Sequence, residues 1–230
     1  MDSLASPPWG TIQRVRTQFT LELVALANDL TLMSRVAHDA TERVTQALAG
    51  ADLAATYEVF ALDEQLQLMF AACESRTMAL LALQAPVARD LRHVVTAIQV
   101  AGELSRIGRR TETAGQYVYR AHPSAVAPAS VITELVSMGT LAAACVARVS
   151  ASVASGRFAA EDGSDIDAME TLCKQLRTAL SEAEVSTEAA IDMALLGSQF
   201  QRCVDHAARI ARLIRFLDTG IPPESGSLPD

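Results

Sequence analysis

A long heptad pattern in the first segment of the chain constrains the fold more than any other feature of the sequence. It places apolar residues on one face of a helix, at alternating intervals of four and three residues. Gly50 is typical of a residue that ends a helix, and Asp52 is typical of the N-cap of the next one. The apolar positions are Phe19, Leu23, Leu26, Leu30, Met33, Ala37, Ala40, Val44 and Ala47.

The rest of the chain predicts five further helices. A second helix continues the apolar spacing after Asp52 and is interrupted at Gln84, Ala85 and Pro86, because proline removes a backbone donor and disfavours helix in the preceding residue. Its apolar positions are Val59, Leu62, Leu66, Met69, Cys73 and Leu80. The remaining predicted helices span residues 87–119, 130–153 with Ser130 as the N-cap, 165–183 and 187–217.

Three helices, a linker and three more helices indicate an internal duplication. The linker covers residues 121–129, where Pro123 and Pro128 cannot continue a helix. We therefore predict an all-α fold of two pseudo-symmetric three-helix bundles, with six long helices running up and down. The predicted units are a disordered extension over 1–15, a first repeat over 16–120, a second repeat over 130–218 and a disordered tail over 219–230.

Composition excludes several classes of protein. The chain of 230 residues is 50% hydrophobic but 4% aromatic, which favours helices, and its formal net charge of −8 argues against a nucleic-acid partner. Its four cysteines are far apart and predict neither a zinc site nor disulfides. No apolar run approaches the roughly 18 residues of a membrane span, so we expect a cytoplasmic protein without membrane insertion.

Polar pairs interrupt the third and sixth predicted helices at matching positions. Ser105 and Arg109 lie four residues apart, as do Gln201 and Asp205, so each pair shares a helix face. A buried polar group needs a partner or costs about 1–3 kcal/mol. Two interpretations are therefore open: a solvated helix face, or a polar site shared between the two halves.

Four segments of the chain, taken in order, resemble the motifs of a known family. Leu81–Arg92 reads LALQAPVARDLR and resembles LALQxPVAxDLR, the signature helix break of the PhoU family, the accessory proteins of phosphate-specific transport. Glu103–Arg109 resembles the motif E-L-E-R-I-G-D, and Gln201–His206 resembles its second copy, E-R-I-G-D-H. Arg16–Phe19 resembles the start of the first helix. The resemblance covers nearly the whole chain and implies a pair of three-helix bundles.

The resemblance also implies a metal site from which this chain departs. In the family, the Glu and Asp of each copy form carboxylate clusters that bind iron or zinc, but three of these four carboxylates are absent here. A hydroxyl, a guanidinium and an amide do not replace anionic ligands, so we expect no metal and no other cofactor. Glu103, Asp205 and His206 remain possible ligands. We predict that an Arg109–Asp205 salt bridge, a bound anion or surface hydrogen bonding takes the place of the metal.

The implied function is that of an adaptor. The family is thought to bind the ATPase subunit of the phosphate ABC transporter and the sensor histidine kinase of the phosphate two-component system, and to limit uptake and starvation signalling when phosphate is plentiful. The chain lacks nucleotide-binding loops and catalytic motifs, so we expect no enzyme activity, and we expect a homodimer. The alternatives are a metal-binding helical bundle and a structural coiled-coil dimer.

The sequence also offers candidate residues for a partner surface. Arg89, Asp90 and Arg92 follow the helix break, where they either meet a partner or, in the case of Asp90, favour the helix N-terminus. The complete predicted polar face consists of Arg89, Asp90, Arg92, Glu103, Arg106, Arg109, Arg202 and Asp205.

Overall fold

The computed structural model describes the backbone of residues 8–84, 86, 88–156 and 163–220, and side chains from residue 18 onwards within those ranges except those of Gln84 and Ala88. This part of the chain contains six α-helices and no strand. The helices are α1 (Pro8–Gly50), α2 (Leu53–Gln84), α3 (Ala88–Ala121), α4 (Ala129–Ser155), α5 (Ser164–Glu182) and α6 (Thr187–Thr219). The prediction of an all-α fold is confirmed.

Two three-helix units pack side by side. Helices α1, α2 and α3 contact one another, as do α4, α5 and α6. The units meet where α1 packs on α4 and α3 packs on α6. Four helices, α1, α3, α6 and α4, therefore form a closed central ring, while α2 and α5 flank it on opposite sides. This arrangement is the predicted pseudo-symmetric pair of bundles.

The heptad seam of α1 lies in the core. Of its nine residues only Leu23 is partly exposed, and Met33, Ala37, Ala40, Val44 and Ala47 are completely buried. The seam fills the space between α1 and the helices that surround it, which are α2, α3 and α4. Because it is used inside one chain, this seam is not available to form a coiled coil with a second copy.

Helix ends follow local chemistry, with two differences from the sequence prediction. Asp52 caps α2 as predicted, since its carboxylate accepts hydrogen bonds from the amides of Ala54 (2.8 Å) and Ala55 (3.1 Å). Ser130 is not the N-cap of α4; Pro128 occupies that position, because a proline without an N–H is tolerated where a helix begins. Gly156 ends α4 in the left-handed conformation, with φ 63°.

The predicted disordered extension is too long. Helix α1 begins at Pro8, so residues 8–15 are helical, whereas residues 1–7 lie outside the described part of the chain. A proline close to a helix start has the backbone angle that a first turn requires, and the sequence analysis did not use this signal. Most of the predicted tail, residues 221–230, also lies outside the described residues, as do residues 157–162 between α4 and α5.

Two helices are more apolar than the sequence analysis recognised. By length and composition alone, α2 over Leu53–Leu83 and α4 over Ala129–Ser155 could cross a membrane. Core helices of other proteins pass the same test, and α4 packs against α1, α5 and α6. Helix α2 keeps several large apolar side chains exposed, among them Leu68, Met78 and Leu83.

Candidate polar site between the two bundles

A buried carboxylate joins the two halves of the molecule. Glu103 lies on α3 where that helix packs on α6, and its side chain is 4% exposed. His206 Nδ1 on α6 lies 2.7 Å from Glu103 Oε2. Arg106 Nη1 on α3 and Arg209 Nε on α6 lie 2.7 Å and 3.1 Å from Glu103 Oε1. Both oxygens are therefore bound by basic side chains, two of which come from the other half.

The basic partners of Glu103 lower its pKa by more than burial raises it. Burial by itself raises the pKa of the Glu103 carboxyl, but the hydrogen bond from His206 and the charges of Arg106, His206 and Arg209 lower it. The net result is a pKa below the ordinary value of a glutamate. The carboxylate accepts the hydrogen bond, so His206 donates from Nδ1. We call Glu103, Arg106, His206 and Arg209 the inter-bundle clasp.

A second polar cluster lies between α2 and α3. Asp63 on α2 has a side chain that is 5% exposed, and its Oδ2 lies 3.1 Å from Arg109 Nη1. Gln67 Nε2 donates to Asp63 Oδ1 at 2.7 Å, and Ser105 Oγ donates to Gln67 Oε1 at 2.7 Å. We call Asp63, Gln67, Ser105 and Arg109 the α2–α3 cluster. Each of its polar side chains has a partner, and the cluster lies within the first half.

The predicted Arg109–Asp205 salt bridge is wrong. Arg109 pairs with Asp63, which lies on the neighbouring helix of its own bundle. Arg109 does take part in a salt bridge, but its acidic partner lies on α2 and not on α6. The reason lies in the packing: Arg109 lies on the face of α3 that turns towards α2, whereas Glu103 lies on the face that turns towards α6.

The equivalent place in the second half is less well paired. Gln201 on α6 receives only a weak hydrogen bond from the Cys173 thiol on α5, with an Sγ–Oε1 distance of 3.7 Å. Within the described chain, no basic side chain lies within ion-pair distance of Asp205. Burial raises the pKa of Asp205, and the charges of His206, Arg202 and Arg212 lower it without cancelling that effect.

The remaining predicted residues lie on the surface. Arg89 and Asp90 are exposed at the start of α3, and Asp90 lies in the first turn of that helix. A carboxylate at this position interacts favourably with the positive end of the helix dipole, which is one of the two interpretations given above for Asp90. The Arg92 guanidinium lies 5.2 Å from the centre of the Phe216 ring on α6, a cation–π contact that connects the two bundles. Arg202 is exposed on α6.

Sequence reasoning missed Asp63, Gln67 and Arg209. A usable signal exists for Asp63, since it lies four residues after Val59 and three before Leu66, on the apolar stripe of its helix. A charged residue on such a stripe requires a partner. No comparable signal exists for Arg209, whose partner Glu103 is distant in the sequence.

The donor atoms in both halves do not fit the metal clusters of the family. In the first half, the guanidinium of Arg109 occupies the space next to Asp63 that a cation would need. In the second half, burial raises the pKa of the Cys173 thiol, so the thiol stays protonated beside a neutral amide and one carboxylate. The three candidate ligands do not converge on one point. Glu103 and His206 bind each other, whereas Asp205 lies on the face of α6 that is turned towards α5.

Another group of donor atoms lies on the surface of α1. His38, Asp39 and Glu42 bring their ligand atoms within 4.8 Å of one another. His38 lies 3.7 Å from each of the two carboxylates. Asp39 and Glu42 are exposed, and such groups are common on helix surfaces without any metal.

The buried cysteines are structural. Cys73, Cys145 and Cys203 are buried as free thiols, whereas Cys173 is partly exposed. Burial raises the pKa of Cys73 to about 11 and that of Cys203 to about 12. A thiol with such a pKa is uncharged at neutral pH, and both residues pack as small apolar side chains.

Fold and polar clusters together define a helical-bundle protein with two pseudo-symmetric halves and internally paired charges. A PhoU domain model matches residues 30–118. The chain is 35% identical over 94% of its length to the phosphate-specific transport system accessory protein PhoU homolog 1 of Mycobacterium leprae, and covers 99% of that protein. It is equally similar, over 91% of its length, to all of PhoU homolog 2 of Mycobacterium tuberculosis.

Solved structures agree on the fold. The phosphate transport system regulatory protein PhoU from Streptococcus pneumoniae superimposes with a TM-score of 0.74 at 19% identity, covering 88% of this chain and 98% of that one. PhoU from Pseudomonas aeruginosa gives a TM-score of 0.68 at 20% identity, with 88% and 100% covered. The chain belongs to the PhoU family.

Proposed function

We propose that this chain is a cytoplasmic adaptor that negatively regulates phosphate uptake and phosphate-starvation signalling. Its partners in this proposal are the ATPase subunit of the phosphate ABC transporter and the sensor histidine kinase of the phosphate two-component system. One observation carries the proposal: the chain matches proteins named as accessory proteins of the phosphate-specific transport system over nearly their whole length.

The arrangement of charged groups supports binding rather than catalysis. The buried carboxylates of Glu103 and Asp63 are held by fixed basic or amide partners. A general acid or base needs a pKa near the working pH and access to a substrate proton, whereas the pKa of Glu103 is lowered and its side chain is buried. We therefore propose that the chain acts without chemical turnover.

The helix break at Pro86 supports a docking surface. Leu83 at the end of α2 is 79% exposed and Leu91 at the start of α3 is 40% exposed, with the charged Asp90 beside it. Exposed apolar side chains next to charges are typical of protein interfaces. We propose that Leu83, Asp90 and Leu91, together with Arg92, contact the transporter ATPase subunit.

A deletion strain tests the function. Loss of the gene should switch on a phosphate-responsive reporter at high phosphate, and the wild-type chain should restore repression. A reporter that stays silent at high phosphate after the deletion would contradict the proposal. The homodimer is a separate prediction, which light scattering at several protein concentrations measures.

Two matched variants test the docking surface. Leu83→Glu should fail to repress the reporter and should lose the ATPase subunit in a pull-down. Leu68→Glu is the control, because Leu68 is 68% exposed on the same helix but far from the break. If the two variants repress the reporter and bind the ATPase subunit equally well, the helix break is not part of the interface. The deletion strain then remains the test of the adaptor function.

The metal-binding alternative has its own measurement. The salt bridge between Asp63 and Arg109 favours a metal-free protein. Elemental analysis of the purified chain should find iron and zinc well below one ion per chain. A stoichiometric amount of iron or zinc would instead favour the alternative function, a metal-binding helical bundle.

A further inference from the structure

A cavity lies at one end of the central ring, and the polar clusters described above do not include it. Its volume is about 280 Å³, and residues from α1, α3, α4 and α6 line it. Its walls are mainly apolar and include Leu26, Leu30, Val100 and Ile214. A cavity close to 300 Å³ with apolar walls and a few polar groups has the usual character of a small-molecule site.

Three of the polar groups that line the cavity lie on one face of α3. Arg89, His93 and Thr96 line it at intervals of four and three residues, which places them one above another on the helix. The Nδ1 atom of His93 lies 2.8 Å from the backbone carbonyl of Arg89. Because a carbonyl only accepts hydrogen bonds, Nδ1 is the donor and Nε2 keeps its capacity for another partner.

Thr96 has a buried hydroxyl without a partner. The residue is fully buried, and its Oγ1 makes no hydrogen bond within the described chain. Buried threonines elsewhere in the helices, such as Thr41 and Thr45, donate to the carbonyl four residues earlier. An unmade hydrogen bond of this kind is costly and calls for a specific explanation. Thr77 is also unpaired, but it does not line the cavity.

The charges at the mouth favour a ligand with one negative charge. In the described part of the chain, the Arg89 guanidinium has no ion-pair partner, and it lies next to the N-terminus of α3, which carries a partial positive charge. Asp218 on α6 lines the same cavity and disfavours an anion with two charges. Arginine binds a carboxylate through two parallel hydrogen bonds.

We propose that this cavity binds a small amphipathic carboxylate. The acidic head lies on Arg89 at the mouth, and the alkyl body lies between the apolar walls. A cavity of about 280 Å³ lies near the lower end of the size range of small-molecule sites, which suits a short alkyl chain of about eight carbon atoms. Octanoate is therefore a suitable probe. This inference does not depend on the proposed adaptor function.

Titration calorimetry with three probes tests the chemistry of the site. Octanoate should bind the full-length chain, octan-1-ol should bind at least about tenfold more weakly because it lacks the charge, and inorganic phosphate should not bind. Absence of octanoate binding would overturn the proposal. Equal affinity for octanoate and octan-1-ol would overturn the role of Arg89, as would binding of phosphate alone.

Variants place the ligand in the cavity. Arg89→Gln should weaken octanoate binding by about tenfold, while Arg43→Gln, which removes a distant surface arginine paired with Glu58, should leave it unchanged.

A variant that blocks the mouth of the cavity tests the site even if the substitutions above affect folding. Ala27 lines the cavity yet is exposed, so Ala27→Phe should cover the mouth without disturbing the core and should abolish octanoate binding. Asn28→Phe, at the neighbouring exposed position, is the control and should bind normally. Octanoate binding that survives Ala27→Phe would place the ligand elsewhere and overturn the proposal.

Discussion

The α2–α3 cluster and its counterpart between α5 and α6 occupy equivalent places but differ in how completely their polar groups are paired. In the first half, Asp63, Gln67, Ser105 and Arg109 satisfy one another. In the second half, Gln201 has a weak thiol donor, and Asp205 has a pKa raised by burial. The two halves thus share an arrangement of helices but differ in their polar chemistry.

A single small residue accounts for part of this difference. A Cβ atom on Gly108 would lie 2.7 Å from Leu66 Cδ1 and 2.9 Å from Asp63 Oδ1, so glycine permits the close approach of α3 to α2. Val204 is the buried residue that directly precedes Asp205, as Gly108 precedes Arg109. The close contact at Gly108 brings the short side chain of Asp63 within reach of α3.

The largest effect is expected at the clasp that joins the two halves. Glu103→Gln removes the charge that His206, Arg106 and Arg209 share, and should lower the free energy of unfolding by about 2 kcal/mol. The loss is moderate because the side chains of Arg106 and Arg209 are more than half exposed and return to water. Urea denaturation measures it, with Gln201→Ala as the control. A loss below about 0.5 kcal/mol would show that the halves do not depend on the clasp.

The same variant gives a pH test. Since the pKa of Glu103 is lowered in the folded protein, its contribution is complete above about pH 4.3, the ordinary glutamate value. It is lost as the pH falls through the lowered pKa. The difference in unfolding free energy between the wild type and Glu103→Gln should therefore be present above about pH 5 and shrink below about pH 4. A difference that grows as the pH falls below about 4 would contradict this assignment.

The next effect is expected at Gly108. Gly108→Ala inserts a methyl group against two buried side chains and should cost about 1–2 kcal/mol. The control is Gly102→Ala, whose nearest neighbour, Phe70 Cε2, would be 3.8 Å from the new Cβ. If the two variants are equally stable in thermal or urea unfolding, the close approach of α3 to α2 at Gly108 does not explain the difference between the halves.

Arg109→Ala should cost less, about 1 kcal/mol, because the Arg109 side chain is 61% exposed and solvent screens its charge. Asp63 keeps its hydrogen bond from Gln67 in this variant. The expected loss should disappear in a background that already carries Asp63→Asn, and a double-mutant cycle measures this coupling. Full additivity would show that the salt bridge contributes nothing to stability.

The smallest effect is expected at Asp205. A raised pKa means that the charged form is disfavoured in the folded protein at neutral pH. Asp205→Asn should therefore leave the stability at pH 7 unchanged or raise it by no more than about 0.5 kcal/mol. A clear loss of stability would indicate that Asp205 forms an ion pair in solution. The two halves would then be more alike in their charge pairing than their contacts indicate.

The sequence predicted the fold because apolar periodicity is a local property. The seam from Phe19 to Ala47 required no knowledge of its neighbours to be recognised, and the cap at Asp52 depends on the amides two and three residues away. The start of α4 was missed by two positions because Ser130 and Pro128 both suit a helix start.

The polar sites were predicted only in part. Glu103 and His206 were named as separate candidates, and their direct hydrogen bond follows from the packing of α3 on α6. Arg109 was assigned to Asp205 but binds Asp63, because the face of α3 on which a residue lies decides which helix it meets. Side-chain partners between helices depend on this relative rotation, which periodicity does not fix.

The inter-bundle clasp also has a mechanical consequence. Only one axial alignment of α6 along α3 brings both His206 and Arg209 to Glu103. The clasp therefore fixes the axial position of one half relative to the other.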